Sequence, residues 1–600
     1  MLPIPFQSFR GAAASSSRRL FASATIYEHL FSPISAAQPV RFRHPSVTAM
    51  PCATALFCCP FLEVMLHFVH CRVPVALAFA SCGPPARHRN AFVPPTEVAM
   101  PHSGSELLTR PAAPGITSVH ASAPAGPADA DTNVCSVSLR PFAAKMAQAG
   151  LPSELVALFA SYLEELACGR TGLIPEADIL PVGRDDLPAL DDLAPYAATG
   201  RARLREAACI KLNGGLGTGM GMTHAKSLLP AKDGATFLEL IVRQAEHLRR
   251  THGGPSPLLF MNSFSTHQDT QRALDVLGLH HTGRPGSFLQ HRFPKVSRDT
   301  LRPVDYPANP DLEWNPPGHG DIYAALALSG HLDRLLEAGR RYALISNADN
   351  LGATLDPAIL GYLMEEDIPF LMECAPRTAS DRKGGHLARS RDGGLALREL
   401  AQCPDEDLPR FQDIVRYGLF NTNNIWLDLR ALRRHIDEHG LLRLPMIRNP
   451  KTVNPRDPDS EKVWQVETAM GAAIGLFPKA RAIVTRRERF LPVKRCSDLL
   501  VLWSDRTLLE PDGRVRPNPD CTTDNVLVEL DGAHYGTWDR LMARFPHGAP
   551  SLLHCAALTV HGDVLFGRDV TARGRVVVRN PSCMQAVVPH GTVLEGEVNL

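Results

Sequence analysis

Hydrophobic positions along this chain follow two periods. In Leu151–Leu166 (LPSELVALFASYLEEL), Leu155, Leu158, Phe159, Tyr162 and Leu166 share one helical face, and Ser153 with Glu154 opens the run. From Ala207 onward, short dense apolar runs alternate with longer amphipathic ones. The runs Ala207–Leu212, Pro257–Asn262, Arg341–Ser346 and Pro369–Cys374 predict strands. Thr236–Arg250, Thr266–Leu277 and Asp321–Leu336 predict helices. In the first of these, Thr236 and Glu239 have capping-box spacing, and Phe237, Leu240, Ile241 and Leu248 form the apolar stripe. Strand and helix taking turns predicts an α/β domain on a mostly parallel sheet, with ligands beyond the carboxyl ends of the strands. The C-terminal stretch from Leu558 (LTVHGDVLFGRDVTARGRVVVRNP) has short β-branched runs cut by Gly, Asp, Asn and Pro. Val564, Val570 and Val576 recur at six-residue steps, the pattern of a few β-helix coils or of a plain β-meander.

Composition narrows the class. A chain of 600 residues exceeds one compact core and predicts two to four domains. With 63 Lys and Arg against 62 Asp and Glu, it lacks the charge excess of a broad nucleic-acid or polybasic membrane surface, although a local basic pocket stays open. The 14 cysteines include no CxxC pair and read as reduced thiols in a cytosolic-type chain. Residues 1–140 differ from the rest: they contain no lysine and are rich in Pro, Ala, Ser, Arg and His. The opening FRGAAASSSRRLFASA is acid-free, like an organelle transit peptide, and an over-extended start ahead of Met100 or Met146 would look the same. Phe61–Cys82 is too interrupted by charge, histidine and proline to span a bilayer.

The densest chemistry lies at Ile210–Ser227, IKLNGGLGTGMGMTHAKS, with five glycines in eight residues and then Lys226. Glycine at that density lets backbone N–H groups approach an anion closely, and a nearby lysine adds a point charge. It is not a Walker A loop, because Ala225 and Met220 stand where that pattern needs glycine. It also fails G-x-G-x-x-G, since Met220 occupies the third glycine position. The loop reads as a phosphate cradle of another kind.

LNGGLGTGMG followed by KS resembles the nucleotide loop of the UTP–glucose-1-phosphate uridylyltransferases. LLFMNSFSTHQDT, FLQHRFPKV, WNPPGHGDIYAALALSG, LISNADNLGATLD, RKGGHLA, GLFNTNNIWLDL and FLPVKRCSDLLVLWSD resemble further blocks of that family, in its order. The likeness runs from about Leu151 to the C-terminus. The sister family acting on N-acetylglucosamine 1-phosphate usually has arginine where this chain has Gly219, and the family's usual proline before the lysine is Ala225 here.

By that resemblance, Leu212, Asn213, Gly214 and Gly215 lie along the uracil and ribose, and Gln290 reads the uracil edge with an amide that both donates and accepts. Gly318 approaches the base, and His319 touches the sugar phosphate together with Gly215, Asn347, Asn421, Asn423 and Asn424. Asp349, at a strand's carboxyl end, is the expected Mg²⁺ ligand and also lines the nucleotide site. Lys226 and Lys494 are the expected catalytic cations on the transferring phosphoryl group. Glu399 and Glu467 are further candidates for sugar or structural contacts.

The resemblance implies a glycosyltransferase-A-like, Rossmann-like α/β fold with a mixed, mostly parallel sheet and a C-terminal left-handed β-helix segment. The expected division is an N-terminal extension (1–145), a helical segment (146–206), a nucleotidyltransferase domain (207–505) and the β-helix (506–600). The implied reaction is UTP plus glucose 1-phosphate giving UDP-glucose plus pyrophosphate, with Mg²⁺ as cofactor, in the cytoplasm, with no nucleic-acid or membrane partner. A homo-oligomer contact through the C-terminal β segment is also expected. The alternatives are a UDP-sugar or UDP-N-acetylglucosamine pyrophosphorylase, and a non-catalytic nucleotide-sugar-binding protein on the same fold.

Overall fold

Alternation along each strand builds the interior. In β2 (Ala207–Asn213), Ala208 and Ile210 enter the apolar core on one face of a central sheet, while Cys209 enters the core on the other. The computed structural model describes residues 137–252, 257–278, 284–523 and 525–600. The transit-like opening and the apolar stretch Phe61–Cys82 lie outside these residues. No helix among the described residues is long and apolar enough to cross a membrane.

Among the described residues the central sheet has ten strands. They are β1 (Ile179–Pro181), β2, β3 (Leu258–Asn262), β4 (Gly286–Leu289), β5 (Tyr342–Asn347), β6 (Phe370–Pro376), β7 (His386–Ser390), β8 (Leu395–Arg398), β9 (Leu419–Asp428) and β10 (Arg481–Val484). The order is β1-β7-β9-β5-β2-β3-β4, with β6 between β9 and β10, and β8 on β7. The pairs β5–β2, β2–β3, β3–β4 and β6–β10 are parallel. Every pair that β9 or β7 makes is antiparallel. The sheet is mixed, as expected, but the mostly parallel order is corrected: parallel pairs lie chiefly in the half that carries the glycine loop. The physical reason lies in the connections: β7 and β8 are joined by a tight turn through Gly393 and Gly394, which permits only an antiparallel return.

All four predicted strands form within a residue or two of their expected ends. The helix Phe237–His252 starts on its capping box, Thr236 N–H donating to Glu239 Oε2 at 2.6 Å and Glu239 N–H to Thr236 Oγ1 at 3.1 Å. Asp321–Leu336 does not form one helix. It breaks into Ile322–Leu328 and His331–Glu337 because Gly330 takes a left-handed φ of 71°.

Two helices, α1 (Arg140–Gln148) and α2 (Ser153–Ala167), pack on Phe293, Val296, Ala324, Met446 and Val466, outside the ten-stranded sheet. Phe142 packs on Phe159 and Phe159 on Phe293, in tilted ring pairs with centroids 5.4 and 5.1 Å apart. Lys145 pairs with Glu313 and donates to Val304 O. At the other end, Leu527–Leu530, Cys555–His561, Thr571–Arg579 and Val593–Asn599 pair in parallel, as do Val564–Phe566 and Ala586–Val588. Parallel pairing excludes the meander. Val564, Val570 and Val576, the six-residue series, all lie inside this stack, in one apolar cluster with Phe237 and Leu240.

Phe142 has no exposed surface. Phe142→Ala should cost about 3–5 kcal/mol of unfolding free energy, read by urea denaturation. Three imidazoles are held below their ordinary range by burial, His319 and His331 at about 4 and His386 at about 3. The unfolded chain takes up those protons near pH 6.5 and the folded chain only near pH 4 or below. Protons favour the unfolded state across that interval, so the melting temperature should fall as pH drops from about 6.5 towards 4. His386→Asn should flatten that slope in a melting series against pH.

Candidate functional site

The glycine loop leaves the carboxyl end of β2, where register sets Asn213 beside Asn262 of β3 and Leu212 beside Asn347 of β5. Three strand ends thus open on one cleft, at the position expected for ligands of an α/β sheet. Asn213 is buried and braces this end, its amide donating to Asn262 Oδ1 at 2.8 Å and Thr270 Oγ1 at 2.9 Å. Thr266 Oγ1 donates to Asn213 O at 2.7 Å, and Ser263 Oγ to Gly214 O at 2.9 Å. The loop's entry is therefore fixed by side chains before it turns.

Within the loop, Gly217 and Gly221 take left-handed φ values of 64° and 75°, which explains two of the five glycines by turn geometry. Gly215 and Gly219 have ordinary φ, and nothing lies within 4 Å of a Cβ built on either. These two are exposed and face open space, so their backbone is free of protein contacts on that side. Gly214 is tight against Gln290, whose Oε1 would lie 3.2 Å from such a Cβ. Gln290 in turn donates from Nε2 to Gly318 O at 2.7 Å, and Gly318 has a φ of 78° with Thr468 backbone packed against it. Gly214, Gln290 and Gly318 come together as one wall, 104 residues apart in sequence.

His319 follows Gly318. Its Nδ1 accepts from Met470 N–H at 3.0 Å, which leaves the proton on Nε2. Burial draws its pKa down to about 4, so the ring is neutral at physiological pH and donates without adding charge.

Lys226 reaches across the cleft. Its Nζ lies 2.5 Å from Asp349 Oδ2 and also donates to Val493 O, the carbonyl just before Lys494. Lys226, Asp349 and the Lys494 backbone thus meet, although 123 and 268 residues separate the other two from Lys226. Lys494 is exposed at this junction, its own N–H held at 2.8 Å by Asp498 Oδ2. Asp349 Oδ1 is buried with no hydrogen-bond partner. An orphaned, ionisable oxygen beside an open glycine loop fits a cation. Among the described residues no three His, Cys, Asp or Glu side chains converge on a metal position, so a bound ion would take its remaining oxygens from ligand or water.

Asn421 and Asn423 pair, Asn421 Nδ2 donating to Asn423 Oδ1 at 2.9 Å and Asn423 N–H to Asn421 Oδ1 at 2.9 Å, with Asn423 at φ 59°. Asn424 is turned the other way. It is fully buried, donates to Glu373 Oε2 at 3.2 Å and Arg489 O at 3.1 Å, and accepts from Asn350 Nδ2 at 3.1 Å. In this structure its amide is engaged by the framework, whereas Asn421 and Asn423 bond each other. The alternation that follows the bulge in β9 is the reason, since neighbouring residues face opposite sides. Burial raises the Glu399 pKa, with Lys494 opposing, and raises that of Glu467, with Asn449 and Lys451 opposing.

Sequence reading did not single out Asn350, Glu373 or Arg489, and these lace the site together. Arg489 forks onto Glu373 at 2.6 and 2.7 Å, and Trp426 Nε1 donates to the same carboxylate at 2.8 Å. Asn350 uses its whole side chain: Nδ2 donates to Asn424 Oδ1 and Arg489 O, and Oδ1 accepts from Gly352 and Leu491 N–H. That staples the Asp349 turn to the segment leading to Lys494. Little local signal reveals this, because apart from Gly352 these residues' partners lie from 51 to 141 positions away.

Ala225 occupies a φ of −56°, close to the angle proline would impose, and its N–H makes a long bond of 3.3 Å to Asp269 Oδ2. The loop therefore keeps the shape a proline would give it.

Glu373→Ala would leave the buried Arg489 only one ion pair, the long one to Asp356 at 3.8 Å. The expected loss is about 3–5 kcal/mol of stability, measured by chemical denaturation.

Known proteins resemble this chain over the same span. The sequence model of the UTP–glucose-1-phosphate uridylyltransferase family matches residues 153–573. The UTP–glucose-1-phosphate uridylyltransferase of Saccharomyces cerevisiae is 42% identical over 398 residues, 66% of this chain and 78% of that one. The enzyme of the same name from Hordeum vulgare is 41% identical over 404 residues, 66% of this chain and 82% of its own. Among solved structures, a mutant UDP-glucose pyrophosphorylase from Leishmania major in complex with UDP-glucose superposes with a TM-score of 0.72 at 41% identity. It covers 78% of this chain and 100% of that one. A UDP-glucose phosphorylase from Trypanosoma brucei gives a TM-score of 0.69 at 44% identity, covering 77% and 99%.

Proposed function

The chain belongs to the UTP–glucose-1-phosphate uridylyltransferase family, and from that premise we propose how its site works. The enzyme forms UDP-glucose and pyrophosphate from UTP and glucose 1-phosphate. The observation that carries the reading of the site is the meeting of Lys226, Asp349 and the Val493–Lys494 backbone beside the open glycines Gly215 and Gly219.

In this reading, Leu212 to Gly215 run along the base and ribose, and Gln290 and Gly318 meet the uracil. A glucose 1-phosphate oxygen attacks the α-phosphorus of UTP in line, and pyrophosphate leaves. No covalent enzyme intermediate is required. Positioning and charge carry the step, because negative charge spreads over the phosphoryl oxygens in the transition state. Lys226 and Lys494 meet that charge from two sides. His319, neutral and with its proton on Nε2, donates to the sugar phosphate. Asn347, Asn421 and Asn423 offer amides to the sugar, whose neutral hydroxyls need both donors and acceptors.

The reading includes Mg²⁺ held through Asp349, whose orphaned Oδ1 suits it; when bound, the ion neutralises phosphate charge. It also includes the division at residues 145, 206 and 505, a left-handed turn of the C-terminal β coils, and a cytoplasmic location. A homo-oligomer contact through the C-terminal segment belongs to it too. That contact draws support from the edge strand Val593–Asn599, which has only Thr571–Arg579 as a strand partner among the described residues.

The test is kinetic. Lys494→Ala and Lys226→Ala should each lower kcat by about 10²–10³-fold in UDP-glucose formation, the scale of one lost oxyanion donor. Asp349→Asn should weaken Mg²⁺ dependence, read by titrating the metal. A Lys494→Ala enzyme turning over at the parental rate would refute the mechanism. Preference for galactose 1-phosphate or N-acetylglucosamine 1-phosphate would overturn the sugar.

A further inference from the structure

Lys232 has a role that the site description leaves unexplained. It lies six residues beyond Lys226, on the short strand Pro230–Lys232, and is 5% exposed. Its ammonium donates to three successive carbonyls, Leu502 O at 3.1 Å, Trp503 O at 3.2 Å and Ser504 O at 2.6 Å. These carbonyls close the helix Cys496–Trp503, whose last C=O groups have no partner within the helix and carry the negative end of its dipole. Trp503 Nε1 also donates to Pro230 O at 3.0 Å.

The same helix is held at its other end by the same stretch of chain. Lys226 Nζ bonds Val493 O, and Asp498 Oδ2 accepts from the N–H groups of Lys494 and Arg495 at 2.8 Å each. Eight helical residues span about 12 Å, and six residues of extended chain reach up to about 20 Å, so Lys226–Lys232 bridges the helix without strain. Apolar packing already holds this helix to the core through Cys496, Leu499, Leu500 and Leu502. To that packing, three hydrogen bonds to one helix end add a directional constraint on axial position.

We propose that Lys232 is a positioning residue for the uridylyl transfer: it sets the spacing between the Lys226 and Lys494 ammoniums by fixing the helix that begins beside Lys494. The inference rests on the reading of Lys494 as a phosphate-facing cation.

Steady-state kinetics of the full chain test it, alongside thermal melts. Lys232→Met keeps the length of the side chain but removes its donors. It should lower kcat about 10- to 100-fold while the KM values for UTP and glucose 1-phosphate stay within about threefold, since the contact acts on the transition state rather than on ground-state binding. Lys232→Arg can still reach the carbonyls and should recover kcat to within about fivefold of the parent. A parental kcat in Lys232→Met, a loss equal to its unfolded fraction, or no recovery in Lys232→Arg would overturn the proposal. If Lys232→Met does not fold, Trp503→Phe decides, because it removes the tie to Pro230 while keeping an aromatic ring against Trp538, with a thermal melt reporting any packing loss. A fall in kcat of threefold or more at constant KM supports the clamp, and an unchanged kcat rejects it. Lys494→Ala separates the two readings: if it is fully active the reading of Lys494 fails, whereas if it is inactive and Lys232→Met is parental only the clamp fails.

Discussion

The buried pair of Glu373 and Arg489 is the constraint on which the site depends. Glu373 has no exposed surface and Arg489 is 6% exposed, so both charges have left water. Desolvation of that kind is offset only by near-ideal geometry and by hydrogen bonds to the remaining polar atoms. Both conditions are met: the guanidinium forks onto the carboxylate, Trp426 adds a third donor, and Thr354 O accepts from Arg489 Nη2 at 3.0 Å. Burial pulls the Arg489 pKa down, but Glu373 beside it more than offsets that and holds it above the ordinary arginine value, so the guanidinium is charged when folded. The consequence is positional. The chain at Arg489 is bolted to the middle of β6, and its carbonyl receives Asn350 and Asn424.

From that bolt the geometry of the cleft follows outward. Asn350 ties the Asp349 turn to Leu491, Pro492 pairs with Asn350 in an isolated bridge, and Val493 meets Lys226. Gly352 has to be glycine at this seam, since a Cβ there would run into the backbone of Glu488 and Arg489. The glycine loop is set from the opposite side, by Asn213, Ser263 and Thr266 at the ends of β2 and β3. Two independently braced walls thus face each other, and charged side chains meet across them. Preorganisation of this sort lets fixed charges act on a phosphoryl group without reorganising during the reaction.

Much of this was legible along the chain. The period of the apolar positions placed four strands and the Phe237–His252 helix, because burial on a sheet or helix face leaves a periodic trace whatever the partner. The capping box at Thr236 and Glu239 was equally readable, being local. What failed had non-local causes. The antiparallel half of the sheet depends on which strands meet, and a strand's apolar run does not state its direction. The split at Gly330 turned on one left-handed residue inside an otherwise helical pattern. The burial of Asn424, next to Asn423 in the chain, is likewise fixed by the pairing of β9 with β6 and not by its neighbours.

By itself, the sequence determined the residue types the chemistry needs: glycines free to approach an anion, two lysines, a carboxylate at a strand end and amides for neutral hydroxyls. It also determined the α/β elements that carry them, since propensity, periodicity and capping act over a few residues. Only the tertiary structure decided which of the five glycines serve turn geometry and which face open space. It alone showed that Lys226 touches Asp349 and the carbonyl before Lys494, that Glu373 and Asn350 brace the segments carrying them, and that Lys232 bonds the end of the helix that follows Lys494. The reason is physical. A buried hydrogen bond or ion pair depends on distance and angle between atoms brought together by folding, and separations of 51 to 272 residues leave no trace of that meeting in the order of the chain.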